Sequence, residues 1–155
     1  MTSAMSLPSA MALICGSVML AMGSLAASAP PAVNPCNVLT IAEVEQIVGK
    51  LKEAPKTDKV GPAAWCNYEF ANGKDAMEVW VFPAEAIDRA RKKAKKPVTV
   101  KGLGDEALTD RGAFGLDYVD LYIKKGTTTV KLALKESAGD EDTLKTLGQK
   151  AVGWF

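Results

Sequence analysis

Three carboxylates, Asp105, Glu106 and Asp110, stand close enough in sequence for general acid–base work or for a calcium ion. Their order lacks the alternating acidic and amide ligands, with glycine at the sixth position, that an EF-hand needs. Gly102 and Gly104 precede them without the third glycine of a dinucleotide loop or the lysine–hydroxyl pair of a P-loop. Lys101-Gly102-Leu103-Gly104-Asp105-Glu106-Ala107 therefore reads as a structural turn. Histidine is absent from all 155 residues, which removes Ser-His-Asp and Cys-His nucleophilic catalysis, imidazole proton shuttling and nearly all His-containing zinc sites. No catalytic residue, metal ligand or cofactor is assigned. The expectation is a non-catalytic binding or interaction module, with an enzyme at Asp105, Glu106 or Asp110 as the alternative.

A second candidate is cationic. Arg89, Arg91, Lys92, Lys93, Lys95 and Lys96 crowd one short run, and a helix would splay them around most of its circumference. An anionic lipid surface, a polysaccharide or another polyanion could bind there. The plainer reading is that cations near a helix C-terminus complement its macrodipole and keep the domain soluble. No aromatic residue interleaves the run to stack on bases, so nucleic acid is not an expected partner. The whole chain, with 19 Lys and Arg against 18 Asp and Glu, carries only +1 and exerts no strong field of its own. The expected partner is an envelope protein or ligand of unidentified chemistry, with a membrane surface reached only through this run.

No charged side chain precedes Glu43, and five of the six methionines fall in the first 22 positions. Ala10 to Ala29 is an apolar run of small residues ending in Ser24-Leu25-Ala26 and Ala27-Ser28-Ala29, the small-x-small pattern that a signal peptidase reads. A signal peptide over 1–29 is expected, with a linker over 30–35 and one domain over 36–155. The rival is an uncleaved membrane anchor, since about 20 apolar residues can span a bilayer. Lipid attachment at Cys15 is disfavoured, because Leu13-Ile14 puts a bulky side chain where a lipobox needs Gly or Ala. Removing the signal leaves Cys36 and Cys66 in a chain bound for an oxidising compartment, where a disulfide is expected. No Cys-x-x-Cys is present for redox exchange, and two cysteines without histidine make a poor metal site.

The elements that must position these groups are legible in outline. Thr40-Ile41-Ala42-Glu43 has the spacing of a capping box, with Val44, Ile47 and Val48 behind it at helical intervals. Residues 51–63 lack an apolar period and read as a loop. Trp65 to Phe70 and Met77 to Phe82 flank Asn72-Gly73 as a hairpin. Trp65, Tyr68, Trp80 and Phe82 make both hairpin faces apolar, as in a sheet covered on both sides, or with one face turned to a partner. Pro83 opens a helix to Lys96, followed by a short extended piece at Val98–Val100. The segment 114–135 breaks at Lys124-Lys125-Gly126 into a second hairpin, and Asp140-Glu141-Asp142 starts a C-terminal helix. The order is α-β-β-α-β-β-β-α: an α+β fold with a mostly antiparallel sheet and helices at start, middle and end.

Several short motifs follow one another along the chain. They are Asn34-Pro35-Cys36-Asn37-Val38-Leu39-Thr40 with Glu43-Val44 and Gly49, then Trp65-Cys66-Asn67-Tyr68, then Gly102-Leu103-Gly104-Asp105-Glu106-Ala107 and Leu121-Tyr122-Ile123-Lys124-Lys125-Gly126. In that arrangement the chain resembles a family of small bacterial envelope proteins, mostly secreted or lipid-anchored, whose function is unknown. The resemblance implies pairing of Cys36 with Cys66 and an extracytoplasmic location, and it carries no catalytic residue.

Overall fold

The computed structural model describes residues 33–60, 63–73, 76–112 and 116–155. The segment expected to be a signal peptide, with Cys15, lies outside the described residues. Ordered structure reaches back into the expected linker, where the Asn34 side chain accepts from the Cys36 amide and caps a 3-10 turn at Pro35–Asn37. Helix α1 (Ile41–Ile47) starts at the capping box: Thr40 Oγ1 accepts from the Glu43 amide, and the Glu43 carboxylate accepts from the Thr40 amide at 2.9 Å. The Thr40 amide and, at 2.8 Å, the Thr40 hydroxyl both donate to that carboxylate, which favours its ionised form and holds the Glu43 pKa below its ordinary value.

The remaining elements are β1 (Lys56–Val60), β2 (Ala63–Glu69), β3 (Ala76–Pro83), α2 (Ala86–Lys93), β4 (Val98–Val100), β5 (Glu106–Arg111), β6 (Tyr118–Lys125), β7 (Thr128–Lys135) and α3 (Glu141–Val152). They build an α+β fold around one seven-stranded sheet in the order β1-β2-β3-β7-β6-β5-β4, with every pairing antiparallel. Two meanders meet at β3 and β7. Helices lie near the start, middle and end as expected, and among the described residues none is long and apolar enough to cross a membrane.

Two strands were not expected. β1 occupies the stretch expected to be a loop, because an edge strand needs one partner and tolerates the polar Lys56-Thr57-Asp58-Lys59. β5 begins where the turn was expected to continue; Ala107 and Leu108 are both buried, so the strand shows no polar alternation. Helix α2 is shorter than expected, since Pro83 is the last residue of β3, paired with Thr128.

Side chains alternate across the sheet. One face carries Cys66, Val79, Leu121 and Leu132, none with any exposure, and packs with Val44 of α1 and Leu144, Leu147 and Ala151 of α3 in the main core. Cys36 and Cys66 form a disulfide, Cα–Cα 5.0 Å, that fastens the N-terminal turn to β2. The opposite face is covered differently. The chain leaves β3 near the sheet centre and must reach β4 at the far edge, so the connection crosses β7, β6 and β5. Helix α2 makes that crossing, held by buried Ile87, by Thr129 Oγ1 donating to the Ala84 carbonyl at 3.0 Å, and by an Arg91–Glu106 ion pair.

Candidate functional site

The register sets two rows of side chains on the face that α2 crosses. Trp65, Trp80, Lys131, Tyr122 and Leu108 are successive neighbours from β2 to β5, and Asn67, Glu78, Ala133, Asp120 and Asp110 form the next row. Contacts of α2 fall on β5 and β6. Along its flank a cleft of about 700 Å³ remains. The strand side of the cleft presents Trp80, Phe82 and Tyr122. The helix side presents Ala86, Ala90 and Ala94, whose four-residue spacing puts small side chains on one face and leaves room in front of the aromatic rings.

The aromatic wall is layered. Trp65 and Trp80 stack with ring centres 4.6 Å apart, and Trp80 and Phe82 stack at 5.8 Å with planes 6° apart. The Trp80 indole donates to Glu78 Oε2 at 2.9 Å, which fixes the ring and satisfies its one donor.

Polar groups gather at the base. Lys131 Nζ lies 3.1 Å from Asp120 Oδ2 and 5.6 Å from the centre of the Tyr122 ring. The Asp120 side chain is 2% exposed, and its Oδ1 has no hydrogen-bond partner. Burial raises the Asp120 carboxyl above its ordinary value against the opposing pull of Lys131, and the charges of Asp110 and Glu78 push the same way as burial. Burial, followed by the charges of Asp120 and Asp110, holds the Tyr122 phenol protonated well past its ordinary range.

The three carboxylates singled out by sequence do not act together. Asp105 Oδ2 accepts from the Gly126 amide at 2.7 Å, and the Asp105 amide donates to the Lys124 carbonyl at 2.8 Å, so this residue clamps its loop to the β6–β7 turn. Glu106 pairs with Arg91. Asp110 lies four residues further along β5, about 13 Å at strand rise, and accepts from the Lys96 amide at 3.2 Å. Only Asp110 reaches the cleft, and its cross-strand neighbour is Asp120. Among the described residues no group of three His, Cys, Asp or Glu is placed to hold a metal ion.

The basic run divides as well. Arg89 and Lys93, one helical turn apart, line the cleft together with Lys95. Arg91 turns to Glu106, the Lys96 amide is bonded to Asp110, and exposed Lys92 stands outside the cleft lining. Sequence reasoning missed Glu78, Asp120 and Lys131. The available signal was a charged residue inside each strand of the second hairpin, Asp120 between Val119 and Leu121 and Lys131 between Val130 and Leu132, which the turn at Gly126 brings to diagonal positions.

No protein-family model matches the chain, and neither a curated protein nor a solved structure matches it.

Proposed function

We propose that the chain is an exported, non-catalytic binding module of the bacterial cell envelope whose ligand enters the cleft between α2 and the Trp80–Phe82 segment of β3. The cleft carries this reading. Its volume of about 700 Å³ falls in the range that encloses a drug-sized molecule, and it combines apolar rings with a few convergent polar groups. Binding is favoured over acid–base chemistry by the state of the carboxylates. Asp105 and Glu106 are committed to structural contacts, and Asp120 is sealed beneath Lys131. A disulfide fits a compartment where thiols are oxidised, and the small-x-small sites at Ala26 and Ala29 fit removal of a signal segment. Periplasmic or secreted residence, and kinship with the envelope family that the motifs resemble, belong to the same proposal.

The test is a two-dimensional amide and indole NMR spectrum recorded while a small-molecule extract of the envelope is added. The expected result is a shift of the Trp80 indole and of Tyr122 and Lys131 amides, abolished in Ala90→Leu, whose added side chain enters the cleft. Shifts confined to α1, α3 and β1, or unchanged in Ala90→Leu, would overturn the assignment of the cleft.

A further inference from the structure

We infer that the ligand of this cleft is a small amphipathic anion: an apolar body against Trp80 and Phe82, and one acidic group held by Arg89, Lys93 and Lys95. The inference rests on the reading of the cleft as a binding site and adds the class of molecule. Three observations converge on it.

The first is charge. Cations lining the cleft are Arg89, Lys93, Lys95 and Lys131, against Glu85 and Asp110. Lys131 is already neutralised by buried Asp120, and the Asp110 carboxylate already accepts from the Lys96 amide. Arg89 and Lys93 of α2, and Lys95 just beyond it, have no salt-bridge partner among the described residues, whereas Arg91 of α2 is paired with Glu106. Arg89, Lys93 and Lys95 thus outnumber Glu85 and Asp110, so the lining keeps a net positive charge, while Lys92, also without an ion pair among the described residues, lies outside it. Like charges one turn apart repel, and an anion between them relieves the repulsion.

The second is the apolar surface beside those cations. Trp80 and Phe82 stack with their planes nearly parallel, and neither is fully buried, so the stack leaves apolar ring surface in the lining of the cleft. Ala86, Ala90 and Ala94 keep the facing wall low. A hydrophilic polyanion would gain nothing from these rings, and a neutral apolar molecule would leave the cations unused.

The third is size. Three cations without an ion pair among the described residues, beside a cleft of this volume, suit one acidic head rather than an extended chain of charges, whose binding would need cations running along an open surface.

The experiment uses anilinonaphthalene sulfonate as the anionic probe and phenylnaphthylamine, a similar ring frame without the sulfonate, as the neutral one. Both are titrated by fluorescence into protein expressed from the full sequence, at about 50 mM and about 500 mM salt. The anion is expected to bind with a Kd of roughly 1 to 100 μM. A triple variant Arg89→Gln, Lys93→Gln, Lys95→Gln should weaken it about tenfold or more, and the higher salt should weaken it in the wild type but little in that variant. Lys92→Gln, outside the cleft, should change nothing, and Ala90→Leu should weaken both probes. Melting curves of the variants confirm that each is folded. Equal affinity for the two probes, with no response to the triple variant, would overturn the anionic class while leaving the cleft as a site. Equal loss in Lys92→Gln would assign the effect to general surface charge and overturn it too. Failure of both probes to bind, or binding indifferent to Ala90→Leu, would overturn the inference together with the reading of the cleft.

Discussion

Tyr68, Tyr118 and Tyr122 are the only tyrosines of the chain, and none sits in the surroundings of a free phenol. Burial among core side chains, then the charge of Glu43, pushes Tyr68 up to about 12, and its hydroxyl donates to the Leu39 carbonyl at 3.3 Å. Burial, then Glu78 and Asp120, raises Tyr118, and Tyr122 is raised by burial and the two aspartates beside it. A phenol whose folded pKa exceeds its unfolded value of about 10 keeps its proton more tightly in the native state. Its contribution is fully present below pH 10 and is lost as pH rises through the folded values. At Tyr68 alone this is on the order of 3 kcal/mol. The expected outcome is that tyrosinate absorbance does not appear around pH 10 in the folded protein. It should rise at higher pH together with unfolding followed by circular dichroism. Tyr68→Phe should shift the alkaline unfolding midpoint upward relative to its own neutral-pH stability. A tyrosine titrating at its ordinary value with the fold intact would contradict the burial on which this rests.

At the scale of elements, the stretch Gly102 to Ala107 shows how a motif that invites chemistry can be architecture. Gly104 has φ +60°, and a Cβ there would collide with the Lys124 carbonyl oxygen, so backbone of the loop lies directly on β6. Gly102 has φ +79° with open space where its Cβ would point. Gly102→Ala should therefore cost about 1 kcal/mol, the penalty for a left-handed alanine. Gly104→Ala adds displacement of β6 and should cost roughly 3 kcal/mol or more, read as the difference in urea midpoints. Equal losses at both positions would sink this account. The turn was legible because glycine spacing reports backbone directly, and the hairpins and caps were legible for the same local reason. What escaped notice depended on partners distant in sequence. β1 is a strand only because Trp65 and Cys66 lie opposite Asp58 and Thr57, and β5 hides its alternation because α2 covers its outer side. The Asp120–Lys131 pair needed the register of two strands, and the grouping of Trp80 with Arg89 and Lys93 needed the path of α2 across the sheet. Residue types in the basic run were visible; their division between Glu106 and the cleft was not.

Over the whole molecule, the strand order assigns different work to the two faces of the sheet. The main core lies under α1 and α3, while the cleft is what the β3-to-β4 crossover leaves open on the other side. The disulfide belongs to the core side: Cys66 is completely buried on the face opposite the aromatic wall, and Cys36 tethers the N-terminal turn, with Thr57 Oγ1 within 3.1 Å of its sulfur and donating to Asn34 at 3.0 Å. Its loss should cost stability without remodelling the cleft. With a sequence separation of 30, the chain-entropy relation gives about 3 to 4 kcal/mol. For a domain of this size that corresponds to a melting temperature lower by roughly 10 °C. In Cys36→Ser, hydrogen exchange should accelerate in α1 and β1, which the tether organises, and stay slow in β6 and β7 at the sheet centre. Affinity for the anionic probe should remain within about twofold of wild type, because Arg89, Lys93 and Trp80 keep their supports. A melting temperature unchanged to within about 2 °C would show that the N-terminal turn is held by its packing alone. Loss of probe binding in the folded variant would instead show that the two faces of the sheet are coupled.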